Sequence, residues 1–101
     1  MFLTSLHAAN EWFSAIESSN NGRTAVTHLL PGEQSVNRAA AYPESDQVLL
    51  VLEGEVLAEI ADETARLRQG DVVIVPAGID HRFVNNTLEP ARTLSVYAPA
   101  D

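Results

Sequence analysis

The chain has 101 residues, 46% of them hydrophobic and 20% charged, which predicts one soluble globular domain. Fourteen acidic residues against six basic ones, all arginine, give a formal net charge of −8, so nucleic acids and anionic membranes are not expected as partners. The chain contains no cysteine, which excludes disulfides, thiolate nucleophiles and cysteine-based zinc sites. Its apolar runs are too short to span a bilayer and its first residues lack the basic flank of a signal peptide, so a cytoplasmic location is predicted.

Residues 1–22 are predicted to lie outside the main fold as a helical or arm segment. Four residues within 7–18 recur at helical spacing and would lie on one face of a helix: Ala8, Trp12, Ala15 and Ile16. Residues 20–22 read Asn-Asn-Gly, which predicts a turn. We therefore expect one amphipathic helix that covers an end or a side of the domain, with a lid or a swapped arm as the alternative.

From residue 23 to residue 99, short β-forming runs alternate with turn signals, and no further helix is predicted. Strands are expected over residues 24–30, 35–42, 47–52, 56–61, 65–67 and 92–97, with a further pair inside residues 70–85. Residues 53–55, Glu-Gly-Glu, are predicted to form a hairpin turn, and residues 62–63 turn the chain again. Short strands at this spacing predict an antiparallel sandwich or barrel over residues 23–99.

The most informative stretch is residues 70–85. Four branched apolar residues, Val-Val-Ile-Val, follow Gly-Asp and predict a short buried strand. Pro76 ends this strand because it lacks the N–H that sheet pairing requires. A second strand begins at His81, so residues 70–85 are predicted to form a hairpin with His81 projecting inward from its mouth.

The fixed positions of this stretch are spaced Gly-x5-Pro-x-Gly-x2-His-x3-Asn and are filled by Gly70, Pro76, Gly78, His81 and Asn85. This spacing resembles the second motif of the cupin family at every fixed position. The end of the family's first motif, Gly-x5-His-x-His-x3-4-Glu-x6-Gly, is similar at Gln47 and Gly54. The resemblance implies a small antiparallel double-stranded β-helix, or jelly-roll barrel, with the N-terminal segment outside it.

The first motif departs from the family at the positions that would hold a metal. Cupins of the metal-binding kind use two histidines and a glutamate of the first motif and the histidine of the second. The corresponding residues here are Ala40, Tyr42, Gln47 and His81. Alanine cannot ligate, and neutral glutamine and tyrosine are poor ligands for a first-row metal beside imidazole and carboxylate. The resemblance therefore implies a cupin that lacks the usual metal and has no other cofactor, although a site rebuilt from His81 and His28 stays open.

The same positions predict a pocket for a small organic molecule at one end of the barrel. Strand alternation and the cupin arrangement turn its predicted lining inward. The lining residues are Tyr42, Gln47, His81, Phe83 and Arg38, with Leu49 and Val51 beside them. A few polar groups in apolar surroundings are typical of ligand sites, and the arginine could select a carboxylate, so a small polar metabolite is the expected ligand.

Two other functions fit the same residues. A metal-free isomerase or epimerase would use His81 to take a proton and Tyr42 to donate one, which resembles the metal-free sugar epimerases of the cupin superfamily. A structural or interaction module would fill its interior with side chains, and Ala40 argues against this because alanine opens space. His81 also has a purely structural alternative, in which its ring bonds a backbone carbonyl.

A homodimer is the expected assembly. Val48 and Leu50 would point outward from the strand over residues 47–52, where a solvated face would carry polar residues. The resemblance implies pairing through the outer face of one sheet. The apolar N-terminus, Met1-Phe2-Leu3, could add to the edge of a partner's sheet.

Overall fold

The computed structural model describes residues 14–18, 23–35 and 44–99, and these residues form eight β-strands. The strands are β1 (Ser14–Ser18), β2 (Arg23–Leu29), β3 (Asp46–Glu53), β4 (Glu55–Ile60), β5 (Glu63–Arg68), β6 (Val72–Val75), β7 (His81–Val84) and β8 (Ala91–Ala98). Within these ranges no helix is long and apolar enough to cross a membrane.

The strands form a five-stranded sheet of order β1-β2-β8-β3-β6 and a three-stranded sheet of order β5-β4-β7. Every pairing between neighbouring strands is antiparallel. The turn predicted at residues 62–63 lies one residue earlier, since β4 and β5 pair from Ile60 and Glu63 onward across a two-residue turn at Ala61-Asp62. The expected antiparallel jelly-roll barrel is therefore confirmed.

The chain crosses between the two sheets at places where the sequence predicts hairpins. β6 pairs with β3 and β7 pairs with β4, so the predicted hairpin over residues 70–85 is wrong, and the hairpin turn at residues 53–55 is wrong for the same reason. The β6–β7 link is bonded at both ends. The Ala77 N–H donates to Asp46 Oδ1 (2.8 Å) on the larger sheet, and the Ala61 N–H donates to the Asp80 carbonyl (2.9 Å) on the smaller one. These bonds satisfy the backbone of the link while it crosses.

The helix predicted over residues 7–18 is wrong for its last five residues, because Ser14–Ser18 form strand β1. This strand pairs with β2, opposite the side on which β2 pairs with β8. Backbone pairing along an open sheet edge outweighs a weak helical periodicity here. The rest of the predicted helix and most of the strand predicted over residues 35–42 lie outside the described residues.

The barrel interior is apolar at one end and polar at the other. Its core contains nine buried residues: Leu29, Leu49, Val51, Val56, Ala58, Leu67, Val75, Phe83 and Ala91. The end where β3 crosses to β4 is sealed by apolar pairs such as Leu29 with Ala91 and Val56 with Leu67. The opposite end, where β6 crosses to β7, carries the buried polar side chains of Gln47 and His81.

The outer face of the three-stranded sheet is charged. Glu55 bonds Arg68 (3.0 Å) and Arg66 (3.1 Å), and Glu59 pairs with Arg82 across β4 and β7. Hydrogen bonding from Arg68 holds the pKa of Glu55 below its usual value, and Arg82 does the same to the pKa of Glu59. This is an ordinary solvated sheet face. The outer face of the five-stranded sheet instead exposes aliphatic residues such as Val48, Ile74 and Val96.

Candidate functional site

The polar end of the barrel brings Gln47 and His81 onto facing sheets. Gln47 lies near the start of β3 and pairs with Val75, the last residue of β6. The β6–β7 link then leads directly to His81, the first residue of β7. Both side chains are buried, and both belong to the inner faces of their sheets, as the sequence predicts.

Two buried oxygens on the inner face of the five-stranded sheet have no hydrogen-bond partner among the described residues. The Gln47 amide donates through Nε2 to Ser95 Oγ (2.9 Å), which leaves Gln47 Oε1 without a donor. Thr93 Oγ1 is also buried and without a partner. An unmet buried polar group costs about 1–3 kcal/mol, so these two oxygens destabilise the protein unless something binds them.

The inner face of β8 supplies the site residues that the sequence analysis missed. Thr93, Ser95 and Tyr97 are buried, while Leu94 and Val96 between them face outward. The strand thus turns its polar residues inward and its aliphatic residues outward, the reverse of the usual arrangement. The signal that could have found them is the strict alternation over residues 91–97, although alternation alone does not say which face is inside.

The His81 ring is held by a hydrogen bond to a nearby backbone carbonyl. Its Nδ1 lies 2.8 Å from the Ile79 carbonyl oxygen, which is the kind of contact that the structural alternative predicts. A carbonyl oxygen only accepts, so Nδ1 carries the hydrogen and the lone pair of the neutral ring belongs to Nε2. The ring centroid lies 6.1 Å from that of Phe83 at an angle of 59°. The imidazole is therefore fixed in orientation and in tautomer.

The other predicted lining residues divide into three groups. Phe83 is buried in the apolar core beside the site, and Leu49 and Val51 share the inner face of β3 with Gln47. Their roles in binding stay predictions. Tyr42 and Arg38 lie outside the described residues, so their place in the pocket also stays a prediction.

His28 does not share a site with His81. The neighbours of His28 on β2, Thr27 and Leu29, are buried on the inner face, so His28 points from the outer face of the five-stranded sheet. The metal site rebuilt from these two histidines is therefore wrong. A one-residue step along a strand reverses the side-chain direction, and that is sufficient to separate them.

The residues at the motif positions do not fit the metal that the fold family implies. Ala40 has no donor atom, and Gln47 offers a neutral amide that is already bonded to Ser95. Among the described residues, no three His, Cys, Asp or Glu side chains gather as a metal site would require. Within residues 14–18, 23–35 and 44–99, His81 alone leaves a divalent ion without a protein ligand set.

Two openings flank the turn between β4 and β5 at this end. A cleft of about 360 Å³ lies between β5 and β6, the terminal strands of the two sheets in the described part of the chain. Its lining is mostly apolar: Ala58, Ile60, Ala61, Glu63, Thr64, Ala65, Val73, Ile74, Pro76 and Ile79. A second depression of about 250 Å³ is lined by Glu59, Ala61, Asp80, His81 and Arg82. Ile60 lines the cleft and pairs with His81, so the cleft lies beside the strand pair that carries His81.

Comparison with known proteins identifies the family. The Cupin domain family matches residues 25–97, and the chain belongs to it. A protein of Thermus thermophilus of known structure is 28% identical over 98% of both chains, with a TM-score of 0.85. A cupin-superfamily sugar phosphate isomerase of Silicibacter pomeroyi is 27% identical with a TM-score of 0.67, covering 79% of this chain and 52% of that one.

The curated relatives that carry enzyme names include acireductone dioxygenases of two Leishmania species. Acireductone dioxygenase of Leishmania infantum is 37% identical over 62 residues, which are 56% of this chain and 18% of that protein. This chain therefore spans less than a fifth of the length of that relative. The similarity supports the cupin fold and leaves the activity of the chain undetermined.

Proposed function

We propose that this chain binds a small polar metabolite inside the barrel, between Gln47 and His81, without a metal. The observation that supports this most is the pair of buried oxygens, Gln47 Oε1 and Thr93 Oγ1, which lack partners in the described part of the fold. A protein keeps such groups at a cost of about 1–3 kcal/mol each, and a ligand that donates to them would recover that cost. Both lie on the inner face of the five-stranded sheet on neighbouring strands, and Thr93 is opposite Val51, four residues along β3 from Gln47, so a ligand that binds both must extend along the barrel interior.

The chemistry of the surroundings narrows the ligand. Gln47 Oε1 can only accept, so the ligand needs a hydroxyl or N–H donor, whereas the Thr93 hydroxyl can donate or accept. The cleft between β5 and β6 adds apolar surface from Ile60, Val73 and Ile79, which suits a short carbon chain or the apolar face of a sugar. Small hydroxy acids, sugars and sugar phosphates have this combination of groups.

The experiment is thermal denaturation of metal-free protein, purified with a chelator, against a panel of small carboxylic acids, sugars and sugar phosphates. Thr93→Val is the informative variant, because it keeps the shape of the side chain and removes the unpartnered hydroxyl. We expect the unliganded variant to gain about 1 kcal/mol, or roughly 4–8 °C in Tm, and to respond less to any compound that stabilises wild type. The Thr93 hydroxyl would thus increase the affinity for the ligand and lower the stability of the unliganded protein.

Gln47→Leu should abolish the response to the same compound, and Gln69→Leu, at an exposed turn position, should leave it intact. If Thr93→Val lowers the Tm of unliganded protein, the hydroxyl is satisfied in solution and the main support for the proposal is gone. A panel that produces no shift in wild type would also count against it. If a compound raises the Tm of protein prepared without the chelator but not of metal-free protein, binding requires a metal.

A second candidate function is metal-free isomerisation, with His81 as the base. The Ile79 carbonyl leaves Nε2 as the basic nitrogen, and His81 lines the depression that also contains Asp80 and the Glu59–Arg82 pair. The similar structure named a sugar phosphate isomerase adds support. An isomerase would exchange the proton next to the substrate carbonyl with deuterium from D₂O. We expect His81→Asn, which can keep the bond to Ile79, to lose that exchange; absence of exchange in wild type with aldose and ketose phosphates would remove this candidate.

A further inference from the structure

In the described part of the chain, β6 is the edge strand of the five-stranded sheet. The Val51 N–H donates to the Asp71 carbonyl (3.0 Å), which fixes the phase of the hydrogen bonds between β3 and β6. In an antiparallel ladder, bonded pairs alternate with non-bonded ones. Val73 therefore bonds β3, while Val72 and Ile74 direct their backbone N–H and C=O groups away from it. This edge thus presents two N–H and two C=O groups in line.

The chain itself closes the edge at both ends of β6. At one end, the Arg68 N–H donates to Asp71 Oδ2 (2.8 Å) and the Asp71 N–H donates to the Arg68 carbonyl (2.9 Å). At the other end, Pro76 has no N–H to offer. Between these ends the side chains of Val72 and Ile74 are 58% and 59% exposed. Charges, proline or a covering segment normally protect an edge strand, and an aliphatic edge without them is a template for strand addition.

The apolar cleft between β5 and β6 lies beside this edge and would receive a side chain of an added strand. Alternate residues of such a strand point to opposite faces, so the residue opposite Val73 would point into the cleft. Val73 lines the cleft together with Ile60 and Ile79. Across the cleft, Ala65 pairs with the buried Ala58 and yet is itself exposed, so this wall is open to an incoming side chain.

We propose that the edge of β6 is a docking site for an extended segment of another protein, which adds to the sheet as an antiparallel strand. A peptide backbone is the ligand that supplies N–H and C=O groups at the spacing of this edge. Antiparallel addition continues the pairing that the described strands already use and is the slightly more stable arrangement. The docked core is three residues long, with its outer two opposite Val72 and Ile74 and its middle side chain in the cleft.

The charge distribution selects a basic segment. The chain has a formal net charge of −8, and Glu63 is the charged member of the cleft lining. Lysine or arginine on either side of an apolar three-residue core would therefore be attracted to this edge. The docking site goes beyond the proposed metabolite site and uses neither Gln47 nor Thr93. Thr93→Val should accordingly bind the segment as wild type does.

The probe is the capped peptide acetyl-Lys-Val-Leu-Val-Lys-amide, whose leucine would enter the cleft. We expect calorimetry to give a Kd of about 0.1–1 mM, as suits one short strand that must be ordered on binding. Hydrogen exchange locates the contact. In free protein the amide hydrogens of Val72 and Ile74 should exchange rapidly and that of Val73 slowly. Peptide at ten times its Kd should slow the first two about tenfold.

N-methylated peptides are the matched controls for the backbone bonds. Methylating the nitrogens of both valines removes the two donors aimed at β6, and we expect binding to weaken roughly tenfold or more. Methylating the leucine nitrogen, whose N–H points away from β6, should change the Kd by less than about threefold. Equal effects of the two modifications would overturn the strand geometry.

Protein variants test the same edge from the other side. Val72→Pro removes one edge N–H at a position where proline is tolerated, whereas Val72→Thr keeps it. We expect the proline variant to bind the peptide roughly tenfold more weakly and the threonine variant to stay within about threefold of wild type. If the proline variant does not fold, the methylated peptides still decide. Slow exchange of Val72 and Ile74 in free protein would show that the edge is already covered, and this result or an absence of binding at about 5 mM peptide would overturn the proposal.

Discussion

Gly54→Ala is expected to remove a large part of the stability of the fold. Gly54 has φ +79° at the point where the chain crosses from β3 to β4. An added Cβ would lie 2.5 Å from the Pro90 carbonyl oxygen and 2.9 Å from Ala91 Cα, both of which are backbone atoms that cannot rotate away. We expect a loss of about 4 kcal/mol, from a left-handed conformation and an overpacked contact together, against a total of roughly 5–15 kcal/mol for a domain of this kind.

Gly32→Ala separates the cost of the left-handed conformation from the cost of the overpacked contact. Gly32 has φ +87°, but an added Cβ there would meet nothing within 4 Å. It should therefore lose only the conformational part, about 1–2 kcal/mol. Urea denaturation followed by circular dichroism measures both variants under the same conditions. Equal losses in the two variants would show that close approach of the β8 strand to residue 54 is not what requires glycine.

The sequence predicted strand ends well and strand partners poorly. Pro76 and the spacing of the second motif located the ends of β6 and β7, because proline and glycine act locally. Which strand lies beside β6 depends on residues far along the chain, and local turn chemistry does not contain that information. The same limit explains Ser14–Ser18, where pairing with β2 prevailed over a helical pattern.

The residues of the candidate site were also predicted only in part. Parity and the resemblance put Gln47 and His81 on inner faces, and their burial agrees. Thr93 and Ser95 were not predicted, because polar residues at alternate strand positions normally indicate the solvent side. The burial of Thr93 and Ser95 on β8, the central strand of its sheet, shows that this polar face looks into the barrel. The inverted strand thus presents its polar residues to the proposed ligand site inside the barrel.

Asn85→Ala is expected to cost about 3–4 kcal/mol, because the side chain of this motif residue closes the apolar end of the barrel. Asn85 is fully buried. Its Nδ2 donates to the carbonyls of Leu29 (2.9 Å) and Glu89 (2.7 Å), and its Oδ1 accepts from the Thr87 N–H (3.0 Å) and hydroxyl (2.7 Å). Truncation leaves the buried Leu29 carbonyl without its donor and breaks the part-buried bonds to Glu89 and Thr87, and the Tm should fall by roughly 12–30 °C.

Two comparison variants test whether the Asn85 amide acts as this hydrogen-bond pattern requires. Asn86→Ala removes an exposed amide that accepts one bond from Arg66 (3.1 Å), and it should change stability by less than about 0.5 kcal/mol. Asn85→Asp keeps the acceptor for Thr87 but replaces the donor with a second oxygen aimed at two carbonyls. We expect it to destabilise at least as much as Asn85→Ala at pH 7, since it buries a charge against like dipoles. An aspartate variant close to wild type would show that the donor bonds contribute little. The stability would then come from the Thr87 contacts and from packing alone.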